Sequence, residues 1–484
     1  MSAKRALTLS LAGLMVAGSL GAAEVVILNN DAPGVGLNDT TPATPIAGNM
    51  GTTLGEQRLN VLLRAAEIWA DELISDVPIT IRAQTALQQC DANGAVLASA
   101  GAAVVFRNFQ NAPFANTWYH GALANSIAGV DLDVNNPDIQ TQFNLNLDED
   151  PNCLGGNGWY YGFDNNEGAA VDLLATMLHE YGHGLGFANF ANEAAGTLFQ
   201  NTPDVYTTFT RDLETGMNWN DMTNAERVAS AINDPDVVWT GATVSAAIGS
   251  FLDGTSIVTV DTPPAIAGTS DVQPAAFGPP VPGSGLSGTV VAATDGIGAS
   301  PTDGCEALTN GAAINGNIAL IDRGTCNFTV KVINAQAVGA VGVLIANNVP
   351  DGLPPMGGDD PAVAIPSVGI SQALGADMNG QLPTPGVTIT LGTDDTRLAG
   401  ANSGFLRVHA PVPVAPGSSI SHWTTDATPS LLMEPAITPD LTDDVDLTLE
   451  LFTDIGWSLN EVFSADFERG DCDEWTSTSP GGCS

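Results

Sequence analysis

The chain has 484 residues, room for two or three domains with cores of their own. Its 54 acidic residues face 13 basic ones, a formal net charge of −41, and such a surface repels nucleic acid and anionic membranes while favouring solubility. Beyond the first 23 residues there is no run of 18 apolar residues, so no stable membrane span is expected.

Residues 1–23 have the form of a cleavable signal peptide. Lys4 and Arg5 make a basic start, 6–20 are apolar but short for a bilayer, and Gly21-Ala22-Ala23 is a small-residue cleavage site. A secreted, extracellular protein is expected. The signal holds two bases and no acid, so its removal leaves 54 acids against 11 bases, a net of −43. That charge suits a salty environment or calcium binding, and composition does not choose between them. Six cysteines in an exported chain point to three disulfides, and proximity favours Cys90–Cys153, Cys305–Cys326 and Cys472–Cys483.

Residues 54–74 have helical spacing, with Leu59, Leu62, Leu63, Ala66 and Trp69 on one stripe. Residues 77–81 read as a strand, and alternating apolar segments follow near 95–106 and 140–147. A turn-rich approach over 155–166 leads into a helix expected over 171–184. Residues 189–239 are polar and irregular, with short helical pieces such as 224–232. Over 241–282 the composition shifts to Ala, Gly, Thr and Pro, which reads as a boundary. Residues 317–322, 328–338 and 341–346 then give a strand–helix–strand pattern, with Gly339 ending the helix. From 403 the earlier style resumes: a strand near 405–409, a loop over 417–435, helical spacing over 444–453 and a stop at Gly456-Trp457. Residues 461–484 form a short acidic tail.

The chemistry concentrates in HEYGHGLGF, residues 179–187, which holds two of only five histidines. On a helix, His179 and His183 are one turn apart and point from the same face, so both imidazoles can chelate one divalent metal while Glu180 holds a water. A surface helix with two solvated histidines is the plain alternative, but the surrounding helix is apolar. A catalytic zinc needs three protein ligands and an open position. The next position of the extended motif, 189, is Asn, an amide that binds zinc more weakly than imidazole or carboxylate. Three solutions stand open: a nearby acid such as Glu193 or Asp204, a degenerate site, or a histidine from far along the chain. His120 and His409 read as packed or structural. His422 lies in the Gly/Ser-flanked loop SSISHWTTDATPSLLMEP, with Met433 eleven residues on, as in sites that place a methionine turn after the last ligand.

Together HEYGHGLGF, SHW and LMEP resemble leishmanolysin-type metzincin metalloproteases, in which an inserted segment separates the third histidine from the helix. The resemblance implies His179, His183 and His422 as zinc ligands, Glu180 as catalytic acid and base, and Met433 as the turn methionine. That family carries a pro-segment whose cysteine blocks the zinc; here no cysteine precedes Cys90. The stretch GNIALIDRGTCNFTVKVINAQAVGAVGVLIANN, with IPSVGIS downstream, resembles the protease-associated (PA) domain of extracellular peptidases, which gates or binds substrate and carries no catalytic residue.

The expected architecture is therefore α+β: a signal at 1–23, and a metzincin-like catalytic domain at 24–250 and 401–460 with a small mixed sheet and an active-site helix. An α/β PA domain interrupts it at 251–400, and a tail follows at 461–484. The expected activity is zinc-dependent hydrolysis of peptide bonds in protein or peptide substrates. A catalytically weak scaffold used for extracellular binding or adhesion is the rival reading. Calcium is a further cofactor expectation for the acidic loops 131–138, 148–150 and 440–446. Nothing in the sequence fixes an oligomeric state.

Overall fold

The computed structural model describes residues 14–17 and 22–460, apart from 93, 297, 299, 351, 359, 439 and 440. Most of the expected signal, the whole tail and the Cys472–Cys483 pair lie outside the described residues.

The N-terminal sheet contains β1 (Leu14–Ala17), β2 (Glu24–Asn29), β3 (Ile79–Ala86), β4 (Ala98–Ala102) and β5 (Ile139–Asn144), ordered β1-β2-β3-β5-β4. The three central strands are parallel and both edge strands run antiparallel, so the sheet is mixed. Along β3 the side chains of Ile79, Ile81 and Ala83 are buried while Thr80, Arg82 and Gln84 are partly exposed, the period-two signature of a strand with one face on a core. The expected strand near 95–106 divides into β4 and a short piece, Val105–Phe106.

Helix α1 (Leu54–Glu72) opens on Thr53, whose hydroxyl accepts from the Glu56 amide, while the Glu56 carboxylate accepts from the Thr52 amide. Its buried face is Val61, Leu62, Ala65, Ala66 and Trp69; Leu59 and Leu63, expected on that stripe, are only partly buried. Small residues on this face bring α1 close to α2 (Leu173–Leu185), where the Trp69 indole donates to the Leu178 carbonyl at 3.1 Å. The other side of α2 lies against β4 and β5.

The boundary expected over 241–282 is instead structured. It holds α3 (Ala242–Phe251), which buries Val244 and Ile248 one turn apart, and whose first amides, at Thr243 and Val244, donate to Asp454. It continues into β6 (Gly254–Thr262), β7 (Gly268–Asp271) and β8 (Gln273–Pro274). With β9 (Leu286–Ala292), β10 (Ile318–Asp322), β11 (Gly342–Ala346), β12 (Ser367–Ile370) and β13 (Val387–Leu398) they make an eight-stranded sheet, ordered β7-β6-β13-β9-β10-β11-β12-β8. Strands β9 to β12 are parallel. The expected strand–helix–strand unit is β10, α4 (Phe328–Ala337) and β11, with Gly339 at φ 88° where the helix ends. One face of this sheet packs on Val332 and Ala335 of α4, the other on Met378 of α5 (Gln372–Gly380).

A separate, larger core unites residues 23–252 with 406–457, including α6 (Thr448–Ile455). Both described cysteine pairs are bonded as expected, Cys90–Cys153 and Cys305–Cys326. Among the described residues no helix is long and apolar enough to cross a membrane.

Candidate metal centre

Helix α2 starts at Asp172, whose carboxylate accepts from the Leu174 and Ala175 amides. It presents His179 and His183 one turn apart and ends at Gly186, which takes φ 150°. That turn folds the Phe187 carbonyl back onto the His183 ring. A Cβ at Gly186 would lie 2.5 Å from Ile455 Cδ1 of α6. Gly186→Ala combines backbone strain with overpacking, so we expect it to destabilise the chain by about 2 kcal/mol or more in denaturant titration.

The third ring arrives from the other end of the core. The backbones of His409 and His422 pair, His409 N with His422 O at 2.9 Å, and the Trp423 amide donates to the Met433 carbonyl at 2.9 Å. Tyr206 holds the same loop through its hydroxyl to the Ile420 carbonyl, and Trp423 packs edge-on against Phe187 and Trp239. Met433 is fully buried beneath α2, where Gly182 makes room: a Cβ there would lie 2.7 Å from the Met433 sulfur.

The result is three Nε2 atoms in a tight triangle: His179–His183 3.0 Å, His183–His422 3.2 Å and His179–His422 3.3 Å. Each Nδ1 faces a main-chain carbonyl: His179 that of Leu432 (2.7 Å), His183 that of Phe187 (2.7 Å), His422 that of Ser418 (2.8 Å). A carbonyl only accepts, so each Nδ1 carries the proton and donates. In the neutral rings the three Nε2 atoms are therefore bare lone pairs pointed at one another. Burial pushes the basicity of all three rings down, His179 to about 3 and His183 to about 4, with further lowering of His179 and His422 by neighbouring imidazoles. Three converging lone pairs repel unless a cation sits among them. Tetrahedral zinc, with Zn–N of about 2.0–2.1 Å, spaces its nitrogens by about 3.3 Å, which the triangle nearly matches. The donor set fits zinc, and the carbonyl partners orient the rings as outer-shell groups do in zinc sites.

Glu180 follows His179 on α2. Its carboxyl is pushed up to about 8, mainly by burial and partly offset by the Ala100 amide of β4, which donates to it. Its Oε2 is buried with no hydrogen-bond partner among the described residues. Strand β4 is an edge of the sheet, so this carboxylate lies beside an open row of main-chain donors and acceptors.

The other candidates are engaged elsewhere. Asn189 donates through its amide to Glu193 and Ser421, both at 2.9 Å, and its oxygen accepts from the Ala191 amide. Asp204 caps the helix Val205–Phe209 and accepts from the Phe190 amide. His120 is fully buried against Phe190, with ring centroids 4.5 Å apart. The acidic loops also serve protein donors. Asp138 accepts from Thr80 and Asn125, Asp148 from Arg58 and Tyr161, and Asp446 from the Leu432 amide. Asp446, read in the sequence only as part of an acidic loop, thus ties the Met433 turn to the start of α6, where it also accepts from Thr448.

The PA domain family matches residues 286–378, within the eight-stranded unit, so the mixed α/β chain carries a PA domain there. An aminopeptidase from Pseudomonas aeruginosa is 54% identical over 52 residues, 11% of this chain and 10% of the relative. Vacuolar-sorting receptor 2 from Arabidopsis thaliana is 29% identical over 151 residues, 29% of this chain and 24% of the relative. Among solved structures, a zinc aminopeptidase from Bacillus subtilis is similar at 21% identity, over 32% of this chain and 38% of that one, with a TM-score of 0.23. The chain thus spans about a tenth to a quarter of these curated relatives. An aminopeptidase and a sorting receptor both match part of this chain without sharing a named activity, so what each does is not carried over with the match.

Proposed function

We propose that the protein is a secreted zinc-dependent endopeptidase, with a metzincin-type catalytic unit at 24–250 and 401–460 interrupted by the PA unit at 251–400. The observation that carries this reading is the triangle of Nε2 atoms, each ring held by a main-chain carbonyl, with a buried carboxyl one residue along the helix. Met433 packed under α2 supports the metzincin assignment over a bare zinc hydrolase. Secretion is supported by the form of residues 1–23 and by two disulfides, which persist in oxidising compartments.

In this reading His179, His183 and His422 hold the zinc. When bound, the ion supplies Lewis-acid polarisation of a carbonyl and acidifies a water. Glu180 accepts the proton of the attacking water and returns it to the leaving nitrogen, a role open to a carboxylate that follows a ligand on the same helix and keeps one oxygen free of protein donors among the described residues. The edge strand β4 pairs with an extended substrate through main-chain hydrogen bonds. An open edge accepts a chain that continues on both sides of the scissile bond, which favours internal cleavage.

The test is hydrolysis of casein and of an N-terminally blocked, internally quenched peptide by the full chain. Both should be cut, activity should vanish with a chelator, and zinc should restore it. Release of free N-terminal residues alone would remove the endopeptidase reading. A folded, zinc-loaded sample that cuts neither substrate would leave the rival, an extracellular binding scaffold.

A further inference from the structure

A second group of potential ligands lies outside the histidine centre, at the carboxyl ends of the parallel strands of the PA unit. Asp295 follows β9 by three residues, and Asp303 and Glu306 sit in the connection from β9 to β10. One oxygen from each lies within 4.8 Å of the other two. Acidic clusters alone mean little, but Asp295 is 1% exposed and neither of its oxygens has a hydrogen-bond partner among the described residues. Glu306 Oε2 is buried and equally without one. A buried carboxylate that no donor meets is costly, and two such groups facing each other are costlier.

The nearby cation does not resolve this. Lys331, fully buried on α4, donates to the Asp303 carbonyl oxygen and to Cys305 Sγ rather than to the carboxylates. It supplies one positive charge against three negative ones, which leaves the balance a divalent cation would cancel. The loop is braced independently of any ion, by Cys305–Cys326, by Asn334 to the Gly304 carbonyl and by the Asp322 amide to the Thr302 carbonyl. The carboxylates are thus presented by a built frame.

We propose that Asp295, Asp303 and Glu306 form a calcium site in the PA unit. All-oxygen ligation selects a hard cation. Calcium, bound at about 2.3–2.6 Å, accepts an irregular set of oxygens from one loop, whereas magnesium demands near-ideal octahedral geometry and keeps several of its waters. One oxygen from each carboxylate lies within 4.8 Å of the others, so a single ion of this kind can meet all three. The ion clamps the β9–β10 connection to the disulfide, and this inference does not rest on the zinc reading.

Calcium itself is the probe, titrated calorimetrically into the zinc-loaded full chain after treatment with a calcium-selective chelator. The wild type should take up calcium and unfold at a higher temperature in calcium than in chelator. Asp295→Asn and Glu306→Gln should each bind at this site at least 10-fold more weakly and lose most of that temperature shift, with zinc content unchanged. Asp295→Asn should be at least as stable as the wild type in chelator, because it removes an uncompensated buried charge. Glu306 is half-buried, so its variant tests the site even if Asp295→Asn folds poorly. Calcium uptake and temperature shift equal to wild type in Glu306→Gln would overturn the proposal, as would absence of calcium uptake by the wild type.

Discussion

Glu180→Gln is expected to keep one zinc per chain and the native fold while lowering kcat/KM by about 10²–10⁴-fold, the range that positioned proton transfer contributes. The substitution is nearly isosteric. Its amide oxygen still accepts from the Ala100 amide, as the carboxylate does, but it takes up no proton from an attacking water. Metal analysis and peptide hydrolysis on one preparation separate the two effects. Turnover near the wild-type rate would remove Glu180 from the reaction, and loss of zinc would make its role structural. The metal-free protein gives a second readout. Glu180 rises from 4.5 in the unfolded chain to about 8 when folded, so between those values the native state binds more protons than the unfolded state. This contribution to stability is present at low pH and is lost as pH rises towards 8. Glutamine does not titrate, so the metal-free variant should unfold at a higher temperature than the metal-free wild type at pH 8, with little difference near pH 4.

Much of this centre was legible because its spacing is local. His179, Glu180 and His183 share one helix, and that helix is marked by an apolar run with a capping Asp172 before it and Gly186 after it. The distant ring was legible only through its company, the small residues before His422 and the methionine eleven positions on. What sequence could not carry is what holds the rings. The partners of the three Nδ1 atoms are main-chain carbonyls of Leu432, Phe187 and Ser418, a service any residue type can give. Asp446 reads as one more solvated acid until the fold half-buries it against the Met433 turn, where it accepts from the Leu432 amide and desolvation raises its carboxyl to about 7. The helix α3 was hidden in a boundary-like composition because it buries little besides Val244 and Ile248. Asp454, which meets its first amides, stands more than 200 residues away in sequence.

His422→Ala should cost the protein its zinc. Loss of an outer-shell partner already weakens metal binding by about 10–100-fold, and loss of a ligand leaves two imidazoles where a catalytic site needs three. We therefore expect a weakening beyond 100-fold and less than 0.1 equivalent of zinc after dialysis, on the order of that ratio. The fold should survive, because the loop is also held by backbone pairing at His409 and Trp423 and by the Tyr206 hydroxyl. Asn189→Ala and Glu193→Ala should keep the metal, since these two side chains are bonded to each other rather than directed at the triangle. Retention of a full zinc by His422→Ala would return the third position to an acid such as Glu193 or Asp204. The same variant tests what the metal does for the fold. His183 and His422 are separated by 239 residues, with the whole PA unit between them. A zinc that joins them binds only the assembled core, so it stabilises that core by its binding free energy. Adding chelator should then lower the unfolding temperature of the wild type by several degrees and leave that of His422→Ala unchanged.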